Sequence, residues 1–242
     1  MRPGLDRYDA ALFAGFERYC RDREKRQPGF TSYYQHLPVY RRMSEHPYGL
    51  FTKLLLDEFG SLEGRTVVDI GAGGFWPHRE CFYAGAVLGL GGAYIGADPN
   101  PRDRDAADLA AREKVAGYRF LKGSTGTARA ELGDASADAV TTVCVIGFPT
   151  QHAVRGEREA HRTLLQGFVR DVAALLRPGG ITAHYLPDDP VRWDAAGLLP
   201  AALFTEAGLE LEEFSQGPFG YIIGRKPLRK EENLATPVSK SI

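Results

Sequence analysis

The stretch Thr66-Val67-Val68-Asp69-Ile70-Gly71-Ala72-Gly73-Gly74 decides how this chain is read. Four of its first five residues are β-branched and the other is aspartate, so it reads as a short buried strand ending in a glycine turn. Gly71 and Gly73 can adopt positive φ and carry no Cβ to hold a ligand off the backbone. A strand entering such a turn, with a helix to follow, brings a nucleotide-like ligand against bare main chain. Asp69, two places before the first glycine, argues against a pyrophosphate and suits a cationic amino-acid headgroup. The pattern buries Asp69, which then needs a partner: backbone N–H groups or, through water, the ammonium of a ligand.

Outward from this stretch the chain alternates strand and helix. A helix over about 78–90 precedes a strand at 94–97 that ends in Asp98-Pro99-Asn100-Pro101. A helix over 103–115 leads to a third strand, 118–121, and the turn Lys122-Gly123-Ser124-Thr125-Gly126. The apolar and threonine run 139–146 suits a central strand buried on both faces. A long amphipathic helix over 157–176 stops at Arg177-Pro178-Gly179-Gly180, and a fifth strand covers 181–186. After a helix at 195–207, strands 209–214 and 219–224 form a hairpin joined by Ser215-Gln216-Gly217-Pro218. The expected fold is α/β: a doubly wound, mostly parallel seven-stranded sheet with an antiparallel C-terminal hairpin, and ligand at the C-terminal strand edge.

Before the sheet, residues 6–26 and 49–59 read as amphipathic helices, the second capped by Gly60. Between them, residues 30–48 are crowded with aromatics and cations. The chain therefore divides into an N-terminal helical extension (1–62), a ligand-binding α/β domain (63–227) and a polar tail (228–242).

Composition narrows the classes. The chain has 242 residues, 43% apolar and 25% charged, which is ordinary for an enzyme-sized domain. A net charge of −1 gives no electrostatic case for nucleic acid or an anionic membrane. Cys20, Cys81 and Cys144 are far apart and form no metal-ligand or disulfide pattern, so no metal is expected. No apolar run is long enough to span a bilayer, and the N-terminus lacks a signal core. These features lead to a cytoplasmic expectation.

Several marks, in register with the strands, resemble the class I S-adenosylmethionine (SAM)-dependent methyltransferases over about Arg65–Lys226. Val68-Asp69-Ile70-Gly71-Ala72-Gly73 is similar to that family's first motif, which backs onto the methionine part of SAM. Asp98 stands where the family places an acid on the two ribose hydroxyls, both of which one carboxylate can accept. Leu176-Arg177-Pro178-Gly179-Gly180 resembles its late motif, and a terminal hairpin separates it from dehydrogenases. The resemblance implies SAM as cofactor, bound by Asp69, Gly71, Ala72, Gly73, Asp98, Pro99, Ser124, Thr125, Val145 and Ile146. Adenine is expected near Pro99 and the Ser124-Thr125 turn, and the sulfonium near Val145 and Ile146. Taken singly, each mark has a plain structural alternative: a tight βα turn, a helix cap, a helix stop. A dinucleotide fingerprint wants a small residue at the sixth place of GxGxxG, where this chain has Trp76 followed by Pro77.

For the acceptor, the end of the fourth strand reads Gly147-Phe148-Pro149-Thr150-Gln151-His152. It lacks the Asn/Asp-Pro-Pro-aromatic motif of many amino-methylating relatives. This departure leaves the acceptor open; the reading is methyl transfer to a small molecule or short peptide, with oxygen favoured and carbon or nitrogen next. His152 is the candidate base in that loop, set against an ordinary surface histidine. Tyr33, Tyr34, Tyr40, Arg41, Tyr48 and Phe148 are candidate acceptor contacts, set against tyrosines that pack the extra helices onto the sheet. Two alternatives stay open: an enzyme that uses SAM for cyclisation or rearrangement, and a non-catalytic SAM-binding regulator. A homodimer is compatible with the sequence.

Overall fold

The computed structural model describes residues 2–30, 42–73, 77–99, 114–145, 158–186, 200–215 and 220–228. A 3-10 turn at Leu5–Tyr8 leads into α1 (Asp9–Glu24), and α2 (Pro47–Phe59) follows. Then come β1 (Thr66–Ile70), α3 (Pro77–Gly89), β2 (Ala93–Asp98), β3 (Tyr118–Lys122), α4 (Thr125–Leu132) and β4 (Ala137–Val143). The remaining elements are α5 (Arg158–Leu175), β5 (Leu176–Tyr185), α6 (Pro200–Glu206), β6 (Glu210–Ser215) and β7 (Tyr221–Arg225).

The seven strands form one sheet in the order β3-β2-β1-β4-β5-β7-β6. Neighbours among β1 to β5 run parallel, while β7 is antiparallel to both β5 and β6. The strand order reverses between β1 and β4, so the crevice above their C-terminal ends is the expected ligand position for an open α/β sheet.

Side-chain alternation sends each strand to two cores. Val67, Tyr94, Ala139, Ile181 and Ile223 face α2 and α3, where Phe51, Leu54, Leu55, Tyr83 and Val87 bury them. Val68, Ile70, Ile95, Val140 and Ile222 face the opposite layer of Leu165, Val169, Val172 and Phe204 from α5 and α6. Helix α1 forms a third layer, packing Leu12, Phe16 and Tyr19 against Phe82 and Ala86 of α3. Lys53 of α2 is fully buried, and its ammonium reaches Asp6 (3.1 Å) and Asp9 (2.9 Å), which ties the N-terminal turn and α1 to α2. At the N-terminal strand edge, the buried Asp138 carboxylate accepts from Arg65 (2.9 Å), Arg177 (2.8 Å) and the Thr66 N–H (2.8 Å). The starts of β1, β4 and β5 are thereby pinned together, leaving the opposite edge for chemistry.

Three features differ from the sequence reading, the first being β4, which spans Ala137–Val143 where the sequence reading has 139–146. Helix α4 starts within the turn read at 122–126 and runs on through residues assigned no element, with Ser124 as its N-cap residue, because Thr125 and Ala128 bury one face of it. Strand β5 starts at Leu176, not Ile181, so Arg177-Pro178-Gly179-Gly180 belongs to the strand. A register shift between Ala137 and Ala139 accommodates those residues beside β4. The helix read at 103–115 lies almost wholly outside the described residues.

Candidate functional site at the C-terminal strand edge

The glycine turn after β1 is fastened to the end of β2. The N–H groups of Gly71 and Ala72 both donate to the Ala97 carbonyl, at 2.7 and 3.2 Å. A Cβ added to Gly96 would lie 3.0 Å from the Ala72 Cβ, so the turn folds down over β2 where that strand has no side chain. The next residue, Asp98, is largely buried at the tip of β2. Its carbonyl accepts from the Gly123 N–H (3.0 Å), which draws in the Gly123-Ser124-Thr125 turn; Ser124 is exposed and Thr125 buried there. Pro99 is exposed beside Asp98.

From β4 the chain bends inward. Cys144 takes φ 61°, unusual for a residue with a Cβ, and its N–H donates to the Tyr185 carbonyl (2.8 Å). This conformation carries Val145 against the β1 turn. Gly71 has φ 82°, and any Cβ built there would overlap Val145 Cγ2. The described residues therefore account for Gly71 by a left-handed backbone and by contact with Val145, in addition to any ligand. Cys144 is partly exposed at this bend.

Asp69 is fully buried, and its carboxyl accepts from Tyr94 Oη (2.8 Å) and Thr141 Oγ1 (3.1 Å). The sequence reading offered backbone N–H groups or a ligand's ammonium; the structure adds side-chain hydroxyls from the two neighbouring strands, one to each carboxyl oxygen. Tyr94 reaches Asp69 because Gly96, the register partner of Asp69, has no side chain: a Cβ there would touch the ring, 3.4 Å from Tyr94 Cε1. Burial pushes the Asp69 carboxyl up to about 7; the two hydroxyls favour the charged form and Asp98 opposes it.

Tyr94 belongs to a ladder of rings. It stacks on Tyr118 (5.7 Å between centroids) and meets Tyr83 edge-on (5.6 Å), while Tyr83 stacks on Tyr48 (5.1 Å). Tyr48, a sequence candidate for acceptor contact, is only 7% exposed. Its place in the ladder favours packing, the other role weighed for these tyrosines. His152, Ile146, Phe148, Tyr33, Tyr34, Tyr40 and Arg41 lie outside the described residues.

His184 lies on the other face of the sheet, buried between Phe168 and Phe204. Thr182 Oγ1 donates to the Val140 carbonyl (2.9 Å), so it accepts from His184 Nε2–H; Thr142 Oγ1 then donates to Nδ1 (2.8 Å). The ring is a neutral structural group, and burial drives its pKa down to about 3.

His184 and Asp69 act on stability with opposite signs. The unfolded chain protonates the histidine near 6.5 and the folded chain near 3, so this contribution is complete above pH 6.5 and is lost as pH falls toward 3. The Asp69 carboxyl, raised from 3.8 to about 7 on folding, contributes fully below pH 3.8, and its contribution is lost as pH rises through 7. Between pH 7 and 5 the two oppose each other. An Asp69→Asn variant removes one side, so on acidification it should lose roughly 2 kcal/mol more than the wild type over that window. Urea unfolding at both pH values measures this, and parallel losses in the two proteins would contradict it.

Among solved structures, an O-methyltransferase family protein from Burkholderia thailandensis superposes with a TM-score of 0.53 at 18% identity, covering 91% of this chain and 71% of that one. The 1,6-didemethyltoxoflavin-N1-methyltransferase of the same organism, solved with its acceptor and S-adenosylhomocysteine, gives 0.52 at 18% identity, covering 94% and 92%. The fold is that of the class I methyltransferases. The CurJ carbon methyltransferase gives 0.52 at 16% identity, covering 92% and 69%. No protein-family model and no curated protein sequence matches the chain.

Proposed function

We propose that this class I methyltransferase fold works as a SAM-dependent methyltransferase on a small molecule or short peptide, with oxygen the favoured acceptor atom. One observation carries the reading: Asp98 ends β2 next to Ala97, and the β1 turn is hydrogen-bonded to the Ala97 carbonyl. An acid next to a side-chain-poor bend fits a ligand with vicinal hydroxyls at one end and an amino-acid headgroup at the other. The donor set fits as well, since Asp69 and Asp98 are both carboxyl groups, suited to hydroxyl and ammonium partners and unsuited to phosphate.

Asp98 would accept from the ribose hydroxyls, with Pro99, Ser124 and Thr125 bordering the base. Asp69, Gly71, Ala72 and Gly73 would back the amino-acid end, and Val145 and Ile146 would lie toward the reacting centre. Bound there, SAM supplies a methyl group activated on a sulfonium. The protein's share is to align the acceptor and exclude water, with proximity as the main source of rate. His152 is the group proposed to take a proton from the acceptor, and Tyr33, Tyr34, Tyr40, Arg41 and Phe148 are proposed to contact it. The segment 1–62 is proposed to cover the acceptor side of the 63–227 domain.

The three structural relatives are named for transfer to oxygen, to a ring nitrogen and to carbon, so the fold leaves the acceptor atom free. The preference for oxygen rests on residues 147–152, which lack an amino-methylating signature. Mass spectrometry of candidate acceptors incubated with SAM tests the reading, the expected product being a gain of one methyl. SAM consumed without methylation would replace it with cyclisation or rearrangement, and binding without turnover with a regulatory module. His152→Ala should lower kcat by on the order of 100-fold with SAM affinity unchanged; a wild-type rate would make His152 a bystander.

A further inference from the structure

Asp69 is a carboxyl group in an otherwise apolar layer, fully buried, and it forms no ion pair among the described residues. Its surroundings are built. Tyr94 arrives from β2 and Thr141 from β4, one donor to each carboxyl oxygen. Thr141 is its direct register partner on β4, and Gly96 its partner on β2, which clears the path for the Tyr94 ring. The Tyr83 hydroxyl of α3 adds a third buried polar group close to Thr141 but outside hydrogen-bonding geometry. The other charged neighbour is Asp98, whose like charge works against a second carboxylate. Tyr83 and Tyr94 titrate well above their ordinary range because both are buried, so they stay neutral donors.

Two residues on, the chain enters the turn proposed to hold the amino-acid end of SAM, and the role inferred for Asp69 rests on that reading. In that reading an ammonium held at the turn favours the ionised form of the nearby carboxyl. Burial and Asp98 hold the proton on; the two hydroxyls and an arriving cation draw it off. We infer that Tyr94 and Thr141 are positioning residues that orient Asp69 and set its proton occupancy, so that capture of an ammonium-bearing ligand at the β1 turn releases a proton to solvent. The tyrosine ladder through Tyr83 to Tyr48 fixes the Tyr94 ring from the N-terminal side. The ladder also lets Tyr94→Phe keep its stacking, so that variant isolates the hydroxyl.

An opposite charge nearby favours a carboxylate by about one to three pK units. Titration calorimetry of the full chain with S-adenosylhomocysteine, in buffers of different ionisation enthalpy, counts the protons released. At pH 6 the expected release is about half a proton or more per ligand bound. 5′-Methylthioadenosine, which has the same nucleoside and no ammonium, should release none. Asp69→Asn should abolish the release. Tyr94→Phe and Thr141→Val each remove a donor to the charged form, so the pH at which affinity rises should move up by about one unit. Thr141→Ser, which retains the hydroxyl, should restore the wild-type profile, a result that a purely structural role would not produce. Equal proton counts for the two ligands, or a Tyr94→Phe profile superposed on the wild type, would overturn the inference while leaving SAM binding intact. Absence of binding by either ligand at every pH would instead overturn the cofactor reading, and this inference with it.

Discussion

Alanine at position 98 is expected to weaken SAM binding by on the order of 100- to 1,000-fold, with little change in the folded state. The carboxylate is proposed to accept from two ribose hydroxyls at once, and hydrogen bonds to a charged group contribute about 1.5–3 kcal/mol each. Losing both, at the lower end of that range, therefore costs roughly 3–4 kcal/mol of binding. Removing Asp98 also removes a like charge from the neighbourhood of Asp69, which should lower the Asp69 pKa. The variant's affinity should consequently depend less on pH below 7. Calorimetry on both proteins decides the point, and equal affinities would withdraw the ribose assignment from Asp98.

The second large effect is at the β1 turn. Gly71→Val places a β-branched residue at φ 82°, where any Cβ also overlaps Val145. The left-handed backbone costs about 1–2 kcal/mol and overpacking a further 1–3. SAM binding should be lost. Because Val145 supplies part of the clash, loss of binding by this variant does not by itself locate the ligand. Gly71→Ala in a Val145→Ala background separates the two causes. The double variant should regain most of its thermal stability, since the overlapping methyl group is gone, yet remain deficient in affinity if, as proposed, the ligand's amino-acid end lies against this turn. Full recovery of both would mean that the turn answers to Val145 alone.

How much of this was legible from sequence depends on where the information lies. Strands β1 and β2 are legible because each is a short, mainly apolar run closed by glycine or by Asp98-Pro99; Thr66–Ile70 is read to the residue. The hairpin β6–β7 is legible from its central glycine and proline. Helix α4 is missed because Thr-Gly-Thr-Ala-Arg-Ala-Glu-Leu has little apolar periodicity, and what holds it is burial of Thr125 and Ala128. The early start of β5 is missed because Pro178-Gly179-Gly180 locally signals a stop, whereas pairing with β4 and the Arg177–Asp138 ion pair continue the strand.

The site divides in the same way. Asp69, the glycine turn and Asp98 stand out as punctuation in the sequence, and the sheet brings the turn to the strand tip that carries Asp98. The partners of Asp69 do not stand out, because they come from residues 25 and 72 places away. A signal did exist: Tyr94 and Thr141 are polar residues in apolar strands with the same facing parity as Asp69. The bend at Cys144 leaves no trace in composition, since any residue type can be forced into that conformation by its neighbours. Tyr48 could be read from sequence as a ligand contact or as packing, and its stack with Tyr83 fits the packing role.

The central claim is that the tip of β2 and the turn after β1 together hold an adenosyl amino acid. Its most direct test is isothermal titration of the purified, folded chain with S-adenosylhomocysteine at pH 7.5. The expected result is one ligand per chain with a dissociation constant in the micromolar range or tighter. No binding heat, together with an unchanged melting temperature at millimolar ligand, would contradict it.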